Sequence, residues 1–237
     1  MPLDPLLLIP PILCDARVFG PQINHLSTVM PVMFAPTTCG ERMEEIASQI
    51  LGWAPARFAL AGAGMGGAVA LEVLRRAPER VQRIALIAAS HHGETPEGAS
   101  AREPQIVAAR SGRFDDVVAQ EFDADFLATG SGRIEVGRVL ANMAQMVGPE
   151  AFVRQARAMQ RRRDQQATLR KITQPALVIG GAEDPRLPPK RHAFMAELIP
   201  GGRLEIVKGA GHMPTLERPA AVSDLLYDWM QAPLVLR

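Results

Sequence analysis

Short apolar runs alternate with helical periodicity through the first part of the chain. Residues 6–10 are an unbroken apolar run and are expected to form the first strand. Residues 29–34 give a second candidate, and Pro31 places it at a sheet edge because proline cannot donate to a central ladder. Met43, Ile46, Ala47, Ile50 and Leu51 recur at three- and four-residue spacing, which predicts a one-sided helix. Residues 58–61 read as a short buried strand running into Gly62, Gly64, Gly66 and Gly67, after which 68–76 continue as a helix. Residues 84–89 supply the next strand. Strands and helices alternate in this way when a parallel sheet is covered on both faces.

The pattern then changes. Residues 95–170 are Arg-rich and helical in period, broken at Gly112, Gly130, Gly132 and Gly148, with no strand-like run. The sheet pattern resumes at 176–180, followed by a helix near 189–199, a strand at 204–207 and a last helix. In that helix Pro219 suits the first turn, and Val222, Leu225, Leu226 and Trp229 make the apolar face. The expected organisation is a core of residues 1–94 and 171–237, with 95–170 inserted as a helical cap over a site.

Composition narrows the function. The chain has 237 residues, 47% hydrophobic and 22% charged, with a formal net charge of +1, so neither disorder nor a polyanionic partner such as nucleic acid is indicated. The apolar stretch at 6–13 falls well short of the roughly 20 residues of a membrane span, and no basic segment precedes it. A cytoplasmic protein acting on a small molecule, without a membrane partner, is expected; a homo-oligomer is compatible with the sequence. Cys14 and Cys39 fit no metal spacing or disulfide framework, so both are read as reduced, and no metal or cofactor is expected.

The strongest local signal is the glycine cluster between a strand and a helix. Gly62, Gly64 and Gly67 fit a G-x-G-x-x-G phosphate loop, but the acidic residue wanted about 20 positions on is replaced by Ser90, His91 and His92. NAD is therefore disfavoured, and NADP is left as a remote alternative. Gly62, Gly64 and Gly66 also fit the nucleophile elbow G-x-S-x-G, with glycine in the middle place. Further on, Asp184 follows the strand ending in Gly180, with Glu183 as the fallback acid, and His212 follows the strand ending in Val207. An acid and then a histidine, each just past a strand end, complete the order of a hydrolase triad.

These pieces together resemble the α/β-hydrolase family, in particular its small esterase-like and C–C hydrolase members with a helical cap. The resemblance runs through the turn at 8–15, the elbow at 60–67, the cap, the acid loop at 180–188 and the histidine loop at 209–219. It implies an α/β-hydrolase fold with a mostly parallel sheet, Asp184 as acid and His212 as base. It further implies an oxyanion hole from the amide of Met65 and that of Ile12 or Leu13, with His91 and Met213 lining the substrate site. Two departures stand out. Pro10 and Pro11 replace the usual His-Gly or Pro-Gly after the first strand, which removes a backbone donor. Gly64 stands where the family carries serine.

Without a hydroxyl at position 64 no acyl-enzyme can form there, a loss of roughly a million-fold in a serine hydrolase. Three outcomes stay open. Gly64 is an isolated or engineered change in an esterase-like hydrolase, or His212 and Asp184 act as a general-base pair on a small carbonyl substrate, or the fold is a non-catalytic binding protein. Ser90 lacks an elbow and is a weak substitute nucleophile. Met143, Met146 and Met159 are read mainly as packing residues, and one arginine of Arg161, Arg162 and Arg163 is a candidate to face a substrate carboxylate.

Overall fold

A computed structural model describes residues 3–130 and 132–233. Six strands form one sheet: β1 (Leu6–Ile9), β2 (Val32–Phe34), β3 (Phe58–Ala63), β4 (Val81–Ile87), β5 (Ala176–Gly181) and β6 (Arg203–Val207). Their order is β2-β1-β3-β4-β5-β6, and every neighbouring pair is parallel. β1, β3 and β5 are buried along their whole length, as continuous apolar runs in a sheet covered on both faces must be.

The helices of the core are α1 (Gly20–Leu26), α2 (Met43–Trp53) and α3 (Met65–Arg76). Between β4 and β5 come α4 (Pro96–Ala101), α5 (Glu103–Arg110), α6 (Phe114–Glu121), α7 (Arg133–Val147), α8 (Pro149–Gln160) and α9 (Gln166–Leu169). α10 (Pro189–Leu198), α11 (Pro214–Glu217) and α12 (Pro219–Gln231) follow. α1 packs on α12, whereas α2 packs on α3 and α10 on β5 and β6, so helices cover both faces. Pro149, Pro189 and Pro219 each open a helix, where a missing N–H costs nothing.

Strand limits differ from the apolar runs for local reasons. Val29 lies in a turn, its amide donating to the Leu26 carbonyl, and β2 begins only after Pro31, at the sheet edge. β4 starts earlier than its expected 84–89 span and ends at Ile87, because Ala88 turns to a φ of 43°. The expectation missed α1 and the 3-10 turn Ala16–Phe19 before it. No helix among the described residues is long and apolar enough to cross a membrane.

The chain leaves β1 toward β2 at one edge, then returns to β3 on the other side of β1 and continues to the opposite edge. The strand order thus reverses between β1 and β3, and the ends of such strands are where α/β sheets bind ligands.

Candidate active site

A cavity of about 820 Å³ lies at this reversal. Pro11 and Ile12 after β1, Gly64 and Met65 at the β3–α3 bend, and His212 and Met213 after β6 form part of its wall. Helical residues of the segment between β4 and β5, Glu121 and Met159 among them, close another part.

Gly64 has φ 51° and ψ −119°, a conformation that strains any residue with a Cβ. Its amide donates to the Ile87 carbonyl at 2.9 Å, and its carbonyl accepts from Gly67 at 3.0 Å, which fixes the bend. The neighbouring glycines are required by the packing of the chain on itself. A Cβ on Gly62 would meet the Gly66 carbonyl oxygen at 2.3 Å, and one on Gly66 the Ile9 carbonyl oxygen at 2.2 Å. These close approaches account for the glycines without a bound pyrophosphate, so they lend no support to the NADP alternative.

A Cβ on Gly64 itself would lie 3.1 Å from the Cβ of Pro11. β1 and β3 pair with Ile9 opposite Gly62, so the residues two places further on meet across the ends of the strands. Pro11 therefore lies directly against Gly64.

On the other wall, His212 Nδ1 donates to Asp184 Oδ2 at 2.7 Å, and the Asp184 side chain is fully buried. The other oxygen, Oδ1, accepts from the amides of Arg186 and Leu187, both at 2.9 Å. Three donors hold one carboxylate, leaving Nε2 as the ring nitrogen free for chemistry. The Glu183 side chain is exposed, and only its backbone amide joins the two loops, donating to the Ala210 carbonyl at 2.9 Å. The histidine loop is further held by Glu217, whose carboxylate accepts from the amides of Ala128 at 2.7 Å, Gly211 at 3.0 Å and Met213 at 2.9 Å. The acid and histidine loops approach so closely that a Cβ on Gly181 would lie 2.0 Å from the Gly211 carbonyl oxygen.

Two expected site residues, Leu13 and His91, need correction. Leu13 cannot serve the oxyanion hole, because its amide already donates to Gln155 Oε1 at 3.0 Å in a buried contact. That leaves Ile12 and Met65; the Met65 amide opens α3, where no carbonyl of an earlier turn can accept it. His91 is buried and absent from the cavity wall, which His92 lines instead. Burial, reinforced by His92, lowers the His91 pKa to about 4. Of the methionines, Met143 is core, Met146 is exposed and Met159 lines the cavity.

The sequence also gave no sign of Gln155 or Glu217 as loop anchors, since each acts across distant segments. In the arginine run, Arg161 pairs with Glu41 and Arg163 with Glu44, whereas Arg162 lines the cavity. Both cysteines are free, and burial pushes the Cys14 thiol far above its ordinary range.

A parallel sheet with helices on both faces, and a histidine–aspartate contact at its strand ends, define a protein of the α/β-hydrolase class. Residues 17–225 match the alpha/beta hydrolase family, and the chain belongs to that family. It is similar to a pimeloyl-(acyl-carrier protein) methyl ester esterase of Neisseria meningitidis, 27% identical over 192 residues that span 79% of this chain and 70% of the relative. Among solved structures it resembles a thermophilic esterase from Thermogutta terrifontis, with a TM-score of 0.86 and 23% identity over 96% of this chain and 89% of that one. The enol-lactonase from Burkholderia xenovorans LB400 gives a TM-score of 0.86 at 21% identity, covering 97% of this chain and 92% of the other.

Proposed function

We propose that the protein hydrolyses a small ester-type carbonyl compound by general-base catalysis, with water in the place of a side-chain nucleophile. The carrying observation is the 2.7 Å His212–Asp184 contact on the wall of a cavity whose strand-to-helix bend bears no side chain. His212 Nε2 takes a proton from water as the water oxygen attacks the carbonyl carbon, and the carbonyl electron pair moves to oxygen. The amides of Met65 and Ile12 receive that oxyanion, the former at the positive end of α3. As the tetrahedral intermediate collapses, the alkoxide leaves with the proton held on the imidazolium. Asp184 positions the ring and balances its charge.

Helices α4–α9 act as the cap. The contact of Pro11 with the Gly64 position favours a site adapted to glycine over a lone serine-to-glycine change. The esterase relatives support the ester class of substrate.

The test is turnover of p-nitrophenyl acetate and short methyl esters by the wild type and His212→Ala. A linear time course without an initial burst, slowed about 10²- to 10⁴-fold by the substitution, is expected. Equal rates in the two proteins overturn the mechanism, and binding of an ester without turnover leaves the binding-protein reading.

A further inference from the structure

The helical side of the cavity carries a charge arrangement that general-base hydrolysis does not use. Glu94, after β4, Arg102, after α4, and Arg162, after α8, converge on the same cavity as His212. Glu94 Oε2 lies 3.6 Å from Arg102 Nε, and Glu94 Oε1 lies 3.5 Å from Arg162 Nη2. Both distances exceed those of a well-formed charged hydrogen bond. The three side chains are 10%, 21% and 17% exposed, so water does little to compensate.

Neither arginine is well satisfied: Arg102 has only its 3.6 Å approach to Glu94, and Arg162 fares little better. Its Nε is buried without an acceptor, and Nη1 reaches only the Met159 sulfur at 3.9 Å. Burial lowers its pKa, and the neighbouring Arg102 charge adds to that. Two guanidinium groups therefore share one carboxylate at distances that satisfy neither, leaving one positive charge in excess in a largely desolvated corner. Such an arrangement is costly unless a second anion completes it.

We infer that Arg102 and Arg162 bind a carboxylate of the substrate, so that the molecule accepted is a small acidic ester, with its scissile carbonyl placed at Gly64 and His212. This substrate class rests on the hydrolase reading, but the anion site itself is independent of turnover. A substrate carboxylate gives the two guanidinium forks the acceptors that Glu94 alone supplies poorly. Arg191 lines the same cavity and forms no ion pair among the described residues, which adds to the attraction for an anion.

The test is calorimetric titration with levulinate and with its neutral amide, levulinamide, neither of which can be hydrolysed as an ester. Levulinate is expected to bind at least about tenfold more tightly, a preference that falls toward unity in Arg162→Met and in Arg102→Gln. Glu94→Gln removes the competing carboxylate and is expected to tighten levulinate binding, a gain that a folding defect would not produce. Equal affinity for acid and amide in the wild type, survival of the preference in both arginine variants, or weaker levulinate binding by Glu94→Gln overturns the inference. Anion preference without ester turnover sinks only the hydrolytic reading. His212-dependent turnover of neutral esters without anion preference sinks only this one.

Discussion

The two walls of the cavity are built in opposite ways. On the β5–β6 side, Asp184 is fixed by three donors, and Glu217 gathers the amides of the histidine loop. On the β1–β3 side, the bend keeps its strained conformation, yet Pro11 stands against the place a side chain would occupy. A histidine with a buried carboxylate partner is expensive to maintain and has little purpose in a core, whereas a bend that carries no side chain offers no covalent route. That contrast is what the proposed water-based hydrolysis needs from its two walls.

The largest expected effect sharpens the first half of that contrast. Asp184→Asn leaves the ring without its orienting charge, and kcat for ester hydrolysis should fall about 10²-fold or more, with KM little changed. Retained kcat would remove the functional meaning of the better-ordered wall. Next comes Glu217→Ala, which strips the amides of Ala128, Gly211 and Met213 of their acceptor; about 2–3 kcal/mol of stability should be lost in urea denaturation, together with activity.

Gly64→Ser probes the other wall. Strain at the bend and the Pro11 contact should cost about 1–3 kcal/mol. Adding Pro11→Gly should recover part of that and give a larger p-nitrophenolate burst than Gly64→Ser alone. A single serine variant of wild-type stability would show that the bend is not shaped around glycine.

The narrowest effect is on pH dependence, because it is confined to acid solution. Burial lowers the pKa of His91 to about 4 and also depresses that of His192, so unfolding lets both take up protons that the fold withholds. Stability should fall as pH drops from 6.5, the ordinary histidine value, toward about 4. His91→Phe should flatten that fall in Tm, whereas an unchanged slope would remove His91 as its source.

Much of the sheet was legible because parallel strands buried on both faces are written as apolar runs, as residues 6–9 and 176–181 show. The placing of Asp184 and His212 beyond strand ends was legible for the same reason. The choice between His91 and His92 was not, because the left-handed turn at Ala88 interrupts the alternation that would assign sides. The claim of Gln155 on the Leu13 amide spans 142 positions and leaves no local signature. The meeting of Pro11 with Gly64 follows directly once Ile9 is set opposite Gly62, but that register is a product of folding.

Gln155 has one more consequence. Its carboxamide joins α8 to Leu13 on one side and to Thr37 Oγ1 on the other, while neighbouring Arg154 donates to the Thr38 carbonyl at 2.8 Å. These bonds tie α8 to the loops that follow β1 and β2, so moving the helix away would break all three of them. Amide exchange in α8 should then be slower than in the helices around it that lack such ties.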